Sequence, residues 1–456
     1  MPYQVFLQTF GCQMNEYDSE LVRSLLKARG FEFTEDQEQA DVVLMNTCAI
    51  REHAHNRVFS HLAKLKTLKR QRNLVVGVLG CMAQNLKTEL TETQPLVDVL
   101  VGPDGYRRLP DLLISAIEHQ AKGLAVDLSE YETYEQILPD RAAGVNAWIA
   151  VMRGCDNFCT FCVVPYTRGR ERSRNPEGII EEAQELAGRG YKQITLLGQN
   201  VNSYHYGAWD FARLITTVAD VPGIQRVRFT SPHPKDFPPA LLDAVAGHPH
   251  ICRQIHLPVQ SGNNRVLAGM GRCYTRKEYV GLVDNIRRRA DIALSTDIIS
   301  GFCGETENEY MDTYGLVQEI EYHSAFIFKY SERKNTIAAR KYPDDVPEPV
   351  KSQRVTRLVE LQKTISVRKN MALLGETVHV LVEGNAKKSR DQWMGHTESN
   401  VTVVWEKNHT ATQPGDFVSI QVTDATASTL YGTPVSPFPL KGVEKRNSLV
   451  SKCLGP

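Results

Sequence analysis

The chain has 456 residues, 42% of them hydrophobic and 23% charged, with 53 basic residues against 53 acidic ones. That length gives room for two or three domains, each with its own core, and the composition is that of an ordinary globular protein. No apolar run is long enough to cross a membrane, and balanced charge means that any nucleic-acid partner must be met by local patches.

Read in chain order, the N-terminus Met-Pro-Tyr-Gln-Val-Phe-Leu enters a strand pattern at once, without the basic-then-apolar pattern of an export signal. A cytoplasmic location is expected. In that reducing compartment the ten cysteines serve metal ligation or catalysis rather than a disulfide framework. Residues 5–9, 42–46 and 74–79 read as buried parallel strands, each followed by a helix, which predicts an open α/β sheet over residues 1–125. Cys12, Cys48 and Cys81 fall just beyond these strands, 36 and 33 residues apart, one βαβ unit each. Ligand sites of such sheets lie at the carboxyl ends of the strands, so these thiols could converge on one edge.

Residues 126–145 are acidic and weakly patterned and read as a linker. Six further strands are expected at 148–152, 193–197, 226–230, 254–257, 293–298 and 325–329, separated by helical segments. Six β/α repeats over residues 146–372 predict a curved parallel sheet, a partial (β/α)6 barrel. A long helix is expected over 347–374, with Lys351, Arg354, Arg357, Arg368 and Lys369 on a solvated face. Short alternating strands at 378–382, 401–405, 417–422 and 430–433, with turns at 383–385 and 413–416, predict a small OB-like β-barrel over 373–437. Residues 438–456 read as a tail with a lone Cys453.

Just beyond the first barrel strand comes Arg-Gly-Cys155-Asp-Asn-Phe-Cys159-Thr-Phe-Cys162. Three thiolates at this spacing can hold three irons of a cubane cluster and leave the fourth iron open. Clusters that serve electron transfer alone usually have four cysteines. Zinc would require a fourth ligand nearby, and no Cys or His follows closely.

These motifs resemble the radical S-adenosylmethionine (SAM) methylthiotransferase family. Cys155, Cys159 and Cys162 match its radical SAM signature, and Gly11-Cys12-Gln-Met-Asn-Glu-Tyr-Asp18-Ser19, Asn46-Thr-Cys48-Ala-Ile-Arg-Glu52 and Gly80-Cys81 match its N-terminal domain. The C-terminal barrel is similar to a TRAM domain, an RNA-binding module. The resemblance covers residues 3 to about 435. Its wording is similar to that of members acting on N6-isopentenyladenosine beside the anticodon of tRNA.

The resemblance implies two 4Fe-4S clusters and SAM. One cluster, on Cys155, Cys159 and Cys162, would cleave SAM to a 5′-deoxyadenosyl radical that takes hydrogen from C2 of the base. An auxiliary cluster on Cys12, Cys48 and Cys81 would deliver the sulfur, so the two triads must face each other across the domain boundary. For SAM it points to Phe161, Gln199, Asn200, Ser300, Gly301 and Gly304. Cys303 stands where relatives commonly have proline, and with Cys252 and Cys273 it reads as structural.

RNA contacts are expected from Arg168, Arg170, Arg172 and Arg174, which follow the cysteine loop, and from Lys387, Lys388, Arg390 and Trp393 in the barrel, where charge adjoins a stacking surface. Implied partners are a tRNA anticodon stem-loop, an electron donor such as flavodoxin or ferredoxin, and sulfur- and cluster-delivery proteins. No membrane is involved, and nothing demands a partner subunit. Two alternatives stay open: methylthiolation of threonylcarbamoyl-adenosine or of a ribosomal protein, and a non-catalytic iron–sulfur protein that binds RNA.

Overall fold

A computed structural model describes residues 2–49, 52–407 and 412–435. Ile50 and Arg51 of the second cysteine motif, and the expected tail with Cys453, lie outside the described residues.

The N-terminal sheet is wholly parallel and has six strands, in the spatial order Glu32–Phe33, Gln4–Phe10, Val42–Thr47, Val75–Gly80, Val99–Val101, Gly123–Ala125. The second and third predicted strands are buried along their whole length, as continuous apolar runs of parallel sheets are. Chain order reverses between Gln4–Phe10 and Val42–Thr47, and crevices at such a switch point are where open α/β sheets take ligands. Cys12 and Cys48 follow these two strands directly. Three short strands, 32–33, 99–101 and 123–125, have no counterpart in the sequence reading. They are too brief for a period-two pattern to register.

All six predicted barrel strands are present: Asn146–Ala150, Gln193–Leu197, Arg226–Phe229, Gln254–His256, Ala293–Ser300 and Ser324–Lys329. They pair in parallel as two sets of three, joined by a bridge between Val227 and Ile251. The outer edge strand Asn146–Ala150 is covered by the helix Gln13–Lys27 of the N-terminal domain. The core beneath that helix runs on without a break into Ala150 and Leu197.

Residues 126–145 do not form the loose linker expected. Tyr134 is fully buried, donates from its hydroxyl to the Pro103 carbonyl at 2.8 Å, accepts from Tyr106 N–H at 3.0 Å, and lies 4.6 Å beneath the Arg153 guanidinium. The long helix spans Glu348–Met371, but its basic face is not simply solvated. Lys351 and Arg354 are buried, Lys351 against Asp344 and Arg354 on Glu305 and Glu307.

The C-terminal domain is a closed five-stranded barrel. The turn expected at 383–385 is a bulge inside the strand Thr377–Ala386, and the chain reverses instead at Lys387 and Lys388. The following strand, Ser389–Thr397, carries Arg390 and Trp393; its charged composition conceals it.

The two larger domains are joined by buried charge. Asp18, fully buried, accepts from Arg153 at 2.7 Å and from Arg168 at 2.8 Å. Burial alone would raise its carboxyl, yet the two guanidiniums hold it below the usual carboxylate range. Asp18→Asn leaves both cations without a counter-charge in the interior and should cost about 3–5 kcal/mol. The check is a chemical denaturation series, in which the midpoint should fall sharply.

Candidate iron–sulfur site at the domain boundary

Each cysteine triad rests on a glycine that no other residue could replace. Gly80 has φ +87°, and a Cβ there would lie 2.4 Å from Asn46 Oδ1 and 2.8 Å from the Thr47 carbonyl. Gly154 has φ +80°, and its Cβ would meet the Arg170 carbonyl at 1.9 Å. Both conformations are open to glycine and closed to L-residues with a side chain. Cys81 and Cys155 come directly after them.

Cys12, Cys48 and Cys81 converge. Cys12 and Cys48 are hydrogen-bonded, and that contact, outweighing burial and aided by the Arg168 charge, lowers the Cys12 thiol to about 6. Burial pushes the Cys81 thiol up, although Arg168 Nε donates to its sulfur at 3.2 Å. Asn15 and Asn46 fix the loops beneath, with Asn15 Nδ2 donating to Asn46 Oδ1 at 3.1 Å and Asn46 Nδ2 donating to the Asn15 carbonyl at 2.9 Å.

The second loop is held from three sides. Gly154 N–H donates to Gln199 Oε1 at 2.6 Å, Thr160 N–H to the Met270 carbonyl at 2.8 Å, and Ala338 N–H to the Thr160 carbonyl at 2.7 Å. Phe161 packs beside Val266, Phe302 and Tyr330. Burial pushes the Cys155 thiol up to about 11 and the Cys162 thiol to about 12. These thiols stay protonated near neutrality unless a metal takes the place of the proton.

The two triads share one boundary. Val163, next to Cys162, packs against Cys81 and Ala49. The short helix Val164–Arg168 then lies on the helix Cys81–Asn85 and carries Arg168 to the Cys81 sulfur. Among the described residues no group of three His, Cys, Asp or Glu closes on a single ion. A cubane makes no such demand, because each thiolate binds its own iron. Polar atoms without a partner are buried nearby, Asn200 Oδ1 after the second barrel strand and Ser300 Oγ at the end of the fifth. Gly301 and Gly304 both have positive φ, and Gly301 bends the chain away from the fifth strand. This donor set fits a polar ligand beside a thiolate-held cluster.

The arginines after the cysteine loop overturn one expectation. Arg168, Arg172 and Arg174 are buried and do not face RNA. Arg172 pairs with Asp104 at 3.0 Å, and Arg174 with Glu182 at 2.9 Å and with the Tyr17 hydroxyl at 2.9 Å. A guanidinium saturated by a buried carboxylate has no charge left for a phosphate. Only Arg170 is exposed, paired with Asp156 and lying over Phe158. Of the three cysteines read as structural, Cys252 and Cys303 are buried and Cys273 is exposed. In the C-terminal barrel Lys387, Lys388 and Arg390 are exposed, and Trp393 is half-buried with Lys407 Nζ 4.3 Å above its ring.

Asp18, Arg153 and Arg272 escaped the sequence reading as site residues. Asp18 lies inside the Gly11–Ser19 motif and Arg153 beside Cys155, so adjacency was their one signal. Arg272 had none.

Three family descriptions match the chain: the uncharacterized protein family UPF0004 over residues 4–102, the radical SAM superfamily over 149–317 and the TRAM domain over 372–435. A tRNA-2-methylthio-N(6)-dimethylallyladenosine synthase of Phocaeicola vulgatus is 46% identical over 442 residues, covering 95% of this chain and 96% of that protein. One of the same name from Chloroherpeton thalassium is 46% identical over 433 residues, covering 94% and 95%. Among solved structures, the radical SAM methyltransferase TsrM of Kitasatospora setae superposes with TM-score 0.57 at 16% identity, over 74% of this chain and 77% of that one. OxsB, a cobalamin-dependent SAM radical enzyme, gives 0.53 at 13% identity, over 80% and 56%. At such identities these two likenesses concern the fold alone.

Gly154→Ala should lower stability by more than about 1 kcal/mol, because a backbone carbonyl cannot turn aside as a side chain can. Gly178→Ala is its control: it lies in the helix Pro176–Gly188 with nothing within 4 Å of the added carbon. It should raise stability by about 0.5–1 kcal/mol. Parallel denaturation curves read both.

Proposed function

The chain belongs to the family of tRNA-2-methylthio-N(6)-dimethylallyladenosine synthases, radical SAM methylthiotransferases, and from that premise we propose how its own residues divide the reaction. The substrate is N6-dimethylallyladenosine next to the anticodon of tRNA, and the product carries a methylthio group at C2. The observation that carries this reading is the meeting of two three-cysteine sets at one buried domain boundary.

Cys155, Cys159 and Cys162 hold the 4Fe-4S cluster that works on SAM, and Cys12, Cys48 and Cys81 hold an auxiliary one. When bound, these groups supply one-electron cleavage of SAM and the sulfur atom. The C2–H bond of adenine is neither acidic nor open to a nucleophile, so general acid–base side chains would not serve. The protein contributes binding, orientation and exclusion of water.

Gln199 fixes the cysteine loop through Gly154 N–H and thereby orients the cluster ligands. Phe161 wedges the loop against the fifth strand's end. Asn200, Ser300 and the backbone at Gly301 and Gly304 offer polar groups to SAM. The nucleobase must leave its stack to reach this boundary. Cleavage consumes an electron and each product removes a sulfur, which supports a small electron donor such as flavodoxin or ferredoxin, and sulfur- and cluster-delivery proteins, as partners. A cytoplasmic monomer is the setting we propose. No helix among the described residues is long and apolar enough to cross a membrane.

Changing Cys12, Cys48 and Cys81 together to Ala should leave 5′-deoxyadenosine release from SAM detectable under anaerobic reduction while abolishing methylthio product. Product at the parent yield would refute the sulfur-carrying role. Changing Cys155, Cys159 or Cys162 should abolish SAM cleavage itself. In cells lacking the gene, tRNA nucleosides should accumulate N6-dimethylallyladenosine without its methylthio form. An unchanged profile sinks the substrate assignment.

The C-terminal barrel is docked through Arg226, whose guanidinium donates to the His396 carbonyl at 2.6 Å and the His379 carbonyl at 3.1 Å, and through Arg228 on the Thr397 and Glu398 carbonyls. Its basic turn at Lys387 and Lys388 sits at the other end of that hairpin, roughly 25 Å away at strand rise. We propose that this turn holds RNA backbone. Lys387→Ala with Lys388→Ala should weaken tRNA binding, reduce its salt slope by about 2, and leave single-turnover chemistry at saturating tRNA unchanged. Filter binding across a salt series, paired with single-turnover assays, reads both.

A further inference from the structure

Most buried arginines of this protein sit on a carboxylate: Arg153 and Arg168 on Asp18, Arg172 on Asp104, Arg141 and Arg174 on Glu182. Arg226 and Arg228, at the edge of the C-terminal barrel, use main-chain carbonyls. Arg272 differs from all of these. It is 8% exposed, and among the described residues it forms no ion pair with an acid. Its Nε donates to the Tyr274 hydroxyl at 2.9 Å, Nη2 to the Pro258 carbonyl at 2.9 Å, and Nη1 to the sulfur of Cys159 at 3.4 Å.

The segment that delivers it is bound into the cysteine loop. Thr160 Oγ1 donates to the Gly269 carbonyl at 2.8 Å and Thr160 N–H to that of Met270. Gly271, at φ +70°, then turns the chain back toward the loop, where a Cβ would lie 3.4 Å from Thr160. The next titratable group, His233, has its ring 5.8 Å from that of Tyr274 and is held neutral by burial and the Arg272 charge. A guanidinium cannot shed its proton in a protein, so its interior charge requires an anion. A thiol is a poor one.

We infer that Arg272 is the positioning residue of the Cys155–Cys159–Cys162 site: it orients the Cys159 sulfur and supplies the counter-charge for the anionic iron–sulfur group bound there. This rests on the reading above that the triad holds a cluster. Hydrogen bonds to ligand sulfurs and local charge are among the levers that set a cluster's reduction potential. A fixed cation stabilises the reduced, more negative cluster, so Arg272 makes the one-electron reduction easier.

The test uses the full chain with Cys12, Cys48 and Cys81 changed to Ala, so that only this triad takes up iron. After anaerobic reconstitution, iron and sulfide are counted and the cluster is titrated against potential, followed by electron paramagnetic resonance. Arg272→Gln should keep the parent iron content and shift the midpoint to more negative potential. Arg272→Lys, which keeps the charge and loses the planar fork, should fall between the two. An unchanged midpoint at full iron content overturns the inference. Loss of iron from both variants also overturns it, since Arg272 would then only seat the loop. Absence of iron in the parent protein is a different failure, that of the cluster reading itself.

Discussion

The buried carboxylate of Asp18 is the point on which the arrangement depends. It comes from the helix Gln13–Lys27 of the N-terminal sheet, and both of its guanidinium partners come from the radical SAM domain. An isolated carboxylate in that position would be protonated, and two isolated guanidiniums would be prohibitively costly to bury. Only the assembled boundary satisfies all three. The interface is therefore specific as well as apolar, and a shift of one helix past the other would strand a charge. Arg168 extends the constraint, because the guanidinium that grips Asp18 also donates to the Cys81 sulfur. One side chain thus ties the backbone after Cys162 to a sulfur of the other triad.

The balance of charge sharpens this. At Asp18 two guanidiniums, those of Arg153 and Arg168, share one carboxylate, which leaves one cation in excess there. The excess falls beside Cys81, where a thiolate bound to iron would cancel it. Arg272 repeats the pattern at Cys159 with no carboxylate at all. Each triad thus has a cation against one of its sulfurs, a charge that the thiolates of a bound cluster would compensate.

Much of this was legible in the chain. The six barrel strands were readable because each is a short, largely apolar run bounded by helices, including the half-exposed edge strand Ser324–Lys329. The six cysteines were readable because their spacing is set by local loops or by one βαβ repeat. The arginines after the loop were misread for a physical reason: charge in a sequence signals solvent unless its partner is known, and the partners of Arg168, Arg172 and Arg174 lie between 8 and 150 residues away. The strand Ser389–Thr397 was missed for a related reason. Only Gly395 and Thr397 of it are buried, so no alternation of apolar residues marks it.

The docking of the C-terminal barrel constrains the path of the RNA. Arg226 begins its strand, and Arg253, whose N–H donates to Glu398 Oε1 at 3.0 Å, directly precedes the fourth, so the C-terminal domain adjoins the amino ends of the strands. Cys155, Asn200 and Ser300 mark the carboxyl ends. An RNA bound at the C-terminal barrel would therefore meet the radical SAM domain from the amino ends of its strands, with the cysteine boundary at their carboxyl ends. On the proposed contacts, affinity would come from charge at the C-terminal barrel and selection of the base from the fit of the cysteine boundary, so the two would be separable by position.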